Sequence, residues 1–112
     1  KIEQMKDNKL IAEFMGMKAH HQDNGCMIFM TPQGHNDIVY VTDLEYHKSW
    51  NWLMNVVEKI EDMGCEIVIT NGECTISGSN DYYKKSIGKS RRDATYIAVV
   101  DFINEYNRKD GK

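Results

Sequence analysis

The residues with the clearest capacity for chemistry stand close together near the C-terminal third: Gly88-Lys89-Ser90, followed by Arg91 and Arg92. Gly-Lys-Ser is the end of a phosphate-cradling P-loop, whose glycines let backbone amides wrap the phosphates. The full pattern also needs a glycine five positions before Gly88, where Tyr83 stands, and P-loop hydrolysis is therefore not expected. What survives is an anion site at a helix start. The first amides of a helix are unpaired and carry partial positive charge, Ser90 adds a hydroxyl, and the guanidinium groups of Arg91 and Arg92 add paired donors. Lys84, Lys85 and Lys89 add charge, and Tyr82 and Tyr83 offer rings on which a base could stack. Five cations and no acid fall between Tyr82 and Arg92, so the rest of the chain carries −8 of a formal total of −3. The alternative is a solvated basic loop with its tyrosines packed on a sheet edge. Against it, a cation in the first turn opposes the helix dipole by about 0.3–1 kcal/mol, a cost that hints at use.

Other reactive types are scattered. His20, His21, Cys26, His35 and Asp37 are metal-ligand types without a recognised spacing, so no metal or cofactor is expected. His47 sits beside Ser49, a helix cap, and reads as a structural or surface residue. Cys65 and Cys74 fall on the apolar side of a hairpin, where thiols are inert. Asp81, Asp93 and a histidine are the only basis for a small hydrolase or nuclease, and they lack a nucleophile pattern. Three cysteines without a Cys-x-x-Cys pair imply reduced thiols and a cytoplasmic setting. Trp50 and Trp52 lie about 200° apart around their helix, so one should enter the core and the other either pack under a loop or mark an interface. A homo-oligomer, most simply a dimer, is expected from them. The seven methionines read mainly as core filling.

The elements that must position these residues are those of one domain spanning 1–112. A hydrophobic content of 41%, a charged content of 28% and one proline exclude a disordered chain. No apolar run is long enough to cross a bilayer, and the start Lys1-Ile2-Glu3 does not resemble a signal peptide. The small, local basic patch on an acidic body disfavours general nucleic-acid binding, which needs cations spread over many phosphates. A helix is predicted over Asn8–Met15, capped by Asp7 or Asn8 and stopped by Gly16. Polar His20 to Gly25 read as a turn, and Cys26–Met30 and Ile38–Thr42 as a hairpin with the tip Thr31–Asp37. Ser49 caps a second helix carrying Leu53, Val56, Val57 and Ile60 on one face and ending at Gly64. Cys65–Thr70 and Cys74–Gly78 flank Asn71-Gly72, the preferred type I′ turn, so Ile69 should face Cys74, Ile67 face Ile76 and Cys65 face Gly78. That register places the apolar side chains on one face and holds Cys65 too far from Cys74 for a disulfide. Ser90 and Asp93 form an approximate capping box for a last helix, with Tyr96, Val99, Val100 and Ile103 opposite a polar stripe of Asp101, Asn104, Glu105 and Arg108. The expected fold is α+β, an α/β/α sandwich in the order α-ββ-α-ββ-α, with three helices on a mostly antiparallel four-stranded sheet.

Three segments together resemble a known family: Asn8 to Gly16; Tyr46-His47-Lys48-Ser49-Trp50-Asn51-Trp52-Leu53-Met54 with Val56 to Glu61; and Ala94-Thr95-Tyr96 with Val99 to Ile103. They are similar to small phage and prophage proteins of the phage ABA (α/β/α) sandwich domain. The resemblance implies a phage-borne, cytoplasmic three-layer domain and brings no catalytic residues. By analogy with phage molecular sponges, it implies sequestration of a nucleotide-derived immune signal. The leading expectation is thus non-enzymatic capture of a small phosphate-bearing ligand by the loop from Tyr82 to Arg92 and the last helix. The alternative is an interaction module that blocks a host protein with an exposed Trp or the long hairpin tip, and the third reading is the small hydrolase.

Overall fold

The computed structural model describes the backbone of residues 2–23, 26–30, 38–40, 44–78 and 82–111, with side chains for 6–17, 44–78 and 82–108. The chain forms two compact units, residues 1–45 and 46–112.

The first unit holds helix α1 (Ile2–Phe14) and strands β1 (Lys18–Asp23), β2 (Cys26–Met30) and β3 (Ile38–Tyr40). The three strands form an antiparallel sheet in chain order. The β2–β3 pairing expected from the sequence is present, with Phe29 opposite Val39. Its tip, Thr31–Asp37, lies outside the described residues. Helix α1 begins well before the predicted cap: Asn8 is interior and buried, and its side-chain Nδ2 donates to the Leu44 carbonyl at 3.3 Å. The predicted stop holds. Gly16 has φ 95°, and the bonds from Met17 N–H to the Ala12 carbonyl and from Gly16 N–H to the Glu13 carbonyl close the helix end.

The second unit holds α2 (Trp50–Asp62), strands β4 (Glu66–Thr70), β5 (Glu73–Ser77) and β6 (Tyr83–Ile87), and α3 (Arg91–Gly111). The order β4-β5-β6 makes another antiparallel sheet. The predicted register is observed, with Ile67 opposite Ile76 and Ile69 opposite Cys74, and Cys65 and Cys74 are free thiols. Gly72 takes φ 80° in the turn. Gly72→Val should therefore cost about 1–2 kcal/mol through a left-handed backbone that a β-branched residue resists, measured as a fall in urea midpoint at constant slope.

Helix α3 lies against all three strands and α2 against α3 and β4. Leu53, Val56, Val57 and Ile60 of α2 meet Cys74 and Ile76 of β5 and Ala94, Val99 and Ile103 of α3 in the core, all of them essentially inaccessible to water. The other face of the sheet carries Glu66, Val68, Thr70, Tyr83, Lys85 and Ile87, all exposed. This unit is thus two-layered, and the three-layer arrangement is not formed within it. Val68 stands on that open face, apart from the apolar set the hairpin reading had gathered on one side.

The fold differs from the expected four strands in the order α-ββ-α-ββ-α. Among the described residues the order is α-βββ-α-βββ-α, with two three-stranded sheets. The added strands are β1, read as a turn, and β6, read as a basic loop. Both carry few apolar side chains, Ala19 in β1 and Tyr83 and Ile87 in β6, so neither shows the apolar alternation by which β3 and β4, edge strands as well among the described residues, are recognised.

Candidate functional site

Because Tyr82 to Ile87 is extended, its side chains alternate between two faces. Tyr82, Lys84 and Ser86 turn toward α3. The Tyr82 ring meets Phe102 edge-on at 5.4 Å, Lys84 Nζ lies 3.8 Å from Asp101 Oδ2, and Ser86 is only 4% exposed, its hydroxyl without a hydrogen-bond partner among the described residues. Tyr83, Lys85 and Ile87 lie on the open face, with Lys85 Nζ 3.6 Å from Glu73 Oε1. The two tyrosines therefore do not share a surface.

Nor do they meet the arginines. Strand β6 runs antiparallel to α3, and Phe102 is eleven residues beyond Arg91, about 16 Å along the axis at 1.5 Å per residue. The sequence-derived site is divided between the two ends of the β6–α3 layer.

At the helix start, the Asp93 N–H donates to Ser90 Oγ at 3.1 Å, while Asp93 Oδ2 accepts from the Lys89 N–H at 2.9 Å. Asp93 thus reaches back past the Ser90 cap to the preceding amide, and its carboxylate lies beside the positive end of the helix dipole, where an anion would sit. The side chains of Lys89, Arg91 and Arg92 remain. None has an ion-pair partner among the described residues, and Arg92 Nε is withdrawn from water with no acceptor.

The other end forms a groove of about 280 Å³ lined by Tyr82, Lys84, Asp101, Asn104, Glu105 and Arg108. Its charges are matched: Lys84 with Asp101, and Arg108 Nη2 with both oxygens of Glu105 at 2.6 and 2.7 Å. Asp101, Asn104, Glu105 and Arg108 were legible as a polar stripe of α3. What the sequence concealed was β6, the wall facing them.

Burial, reinforced by Asp101, Glu105 and Cys65, pushes the Tyr82 hydroxyl up to about 12 from 10.0, and burial alone pushes Tyr46 as far. A tyrosine whose pKa is higher folded than unfolded stabilises the fold fully below pH 10, and that contribution is lost as pH rises toward 12. The melting temperature should therefore fall between these values, and absorbance at the phenolate band should show fewer ionised tyrosines at pH 11 in the native protein than in the urea-unfolded chain.

Burial raises the pKa of both the Cys65 and Cys74 thiols, Asp93 is engaged in its cap, and the His47 ring lies edge-on to Tyr96 at 6.4 Å. Asp81, His35 and Asp37 lie outside the described residues, as do the side chains of His20, His21 and Cys26. Among the described residues, no group of three or more His, Cys, Asp or Glu is placed to hold a metal. Of the two tryptophans, Trp50 is 36% exposed, whereas Trp52 is half-buried, edge-on to Tyr46 at 5.1 Å. No described helix is long and apolar enough to cross a membrane. No family model, curated protein or solved structure matches the chain.

Proposed function

We propose that this chain is a non-enzymatic, cytoplasmic binding protein for a small phosphate-bearing anion, gripped by Lys89, Arg91 and Arg92 at the start of α3. The observation that carries the reading is the imbalance of pairing: Lys84, Lys85 and Arg108 each have a carboxylate partner, while these three cations have none among the described residues. Because Asp93 occupies the helix end, the grip comes from side chains, with guanidinium forks matching phosphate oxygens in pairs. The Tyr82 and Tyr83 rings lie elsewhere and take no part, so selectivity rests on the phosphate groups. The resemblance to phage sandwich proteins supplies a frame in which the anion is a nucleotide-derived immune signal and capture is sequestration.

The test is calorimetric titration of the protein, Arg91→Ala and Arg92→Ala with pyrophosphate, ADP and a cyclic dinucleotide. Each charge-assisted bond should contribute about 1.5–3 kcal/mol, so each loss should weaken binding by roughly 10- to 150-fold. Melting should be unchanged or slightly raised, because a cation has left a helix N-terminus. Equal affinity in both variants, or no heat with any of the three anions, would reject the reading and leave the interaction module ahead.

A further inference from the structure

Among the described residues, β6 has β5 on one side and no strand on the other. The bonds from Gly88 N–H to the Gly72 carbonyl and from Gly78 N–H to the Tyr82 carbonyl, each 3.0 Å, fix the phase of the β5–β6 ladder. Alternation between bonded and non-bonded pairs then assigns the inward backbone groups to Lys84 and Ser86. The N–H and C=O of Tyr83, Lys85 and Ile87 point out of the free edge.

The side chains of the same three residues lie on the open face, and Tyr83 and Ile87 are its most exposed apolar groups, at 67% and 70%. We propose that a second copy of this chain adds antiparallel to β6 about a two-fold axis at Lys85, joining two three-stranded sheets into one of six. In that register Tyr83 stands opposite the partner's Ile87, and Ile87 opposite the partner's Tyr83, giving two aromatic–β-branched cross-strand pairs. The three outward N–H and three outward C=O groups of each copy find partners in the other.

Lysines usually protect an edge strand from such pairing. Here both are diverted. Lys84 lies on the α3 side of the sheet, paired at the surface with Asp101, and Lys85, the one residue that meets its own copy, has its charge offset by Glu73 on the neighbouring strand. The inference is independent of the anion site, which draws on neither residue.

Light scattering on the full chain at micromolar concentration tests it. The native protein should have twice the 13.0 kDa chain mass. Lys85→Pro removes an N–H that the β5 ladder does not use, and Tyr83→Lys/Ile87→Lys sets like charges opposite one another, so each should halve the particle mass with the circular dichroism spectrum retained. Should Lys85→Pro disturb the fold, the double-lysine variant decides alone. A native mass of one chain, or of more than two, overturns the proposal, as does a dimer that survives the double-lysine change, which would move the interface to a surface such as Trp50.

Discussion

Ile76→Ala is expected to destabilise the protein by about 2–5 kcal/mol, the range for removing a fully enclosed aliphatic side chain and leaving the space partly unfilled. Ile76 sits on β5, the central strand of its sheet, with Ile67 opposite on β4 and Lys84 opposite on β6, and it has no exposure to water. Strands on both sides and α3 above limit how far the surroundings can collapse into the cavity. In a unit of this size the loss should lower the melting temperature by about 10 °C or more. Calorimetry showing less than about 1 kcal/mol would mean that β5 is not the centre of the core.

Gly88→Ala is expected to cost about 3 kcal/mol, at the upper end of overpacking penalties. A Cβ at Gly88 would lie 2.6 Å from the Ala94 amide nitrogen and 2.9 Å from its Cα, and 2.7 Å from Asp93 Oδ2. The first two are backbone of α3 and cannot step aside as a side-chain tip would. Relief requires moving the helix start away from the end of β6, which strains the Gly88 N–H bond to the Gly72 carbonyl and the Lys89–Asp93 cap together. Urea unfolding gives the value, and an unchanged midpoint would contradict the close approach. The glycine that suggested a phosphate loop in the sequence is thus required by the close packing of β6 against the start of α3.

Sequence periodicity resolved the elements that bury an apolar face. Leu53, Val56, Val57 and Ile60 at helical spacing, Asn71-Gly72 between two apolar runs, and Ser90 three residues before Asp93 each specify their local structure by a physical constraint that one segment satisfies alone. Lys18–Asp23 and Tyr83–Ile87 bring too few apolar residues to show a period, whereas β3 and β4, edge strands as well among the described residues, carry enough to be read. Missing β6 also disguised the candidate site. Read as a loop, Tyr82 to Arg92 gathers two tyrosines and five cations into one patch; extended, the same residues alternate between two faces and span the length of the sheet. Lys84 and Lys85, adjacent in sequence, end on opposite sides, each with its own carboxylate. The surviving part, Lys89 to Arg92, survives because four residues at a helix start stay together however the strand before them is drawn.

An anion bound at that helix start, and nowhere else on the β6–α3 layer, is detected by backbone amide NMR during titration with pyrophosphate. Saturable shifts are expected at Lys89, Ser90, Arg91, Arg92 and Asp93, with Tyr82, Lys84 and Glu105 around the distant groove unmoved. Shifts confined to the groove, or none at Lys89 to Asp93 at saturating pyrophosphate, would contradict binding at the helix start.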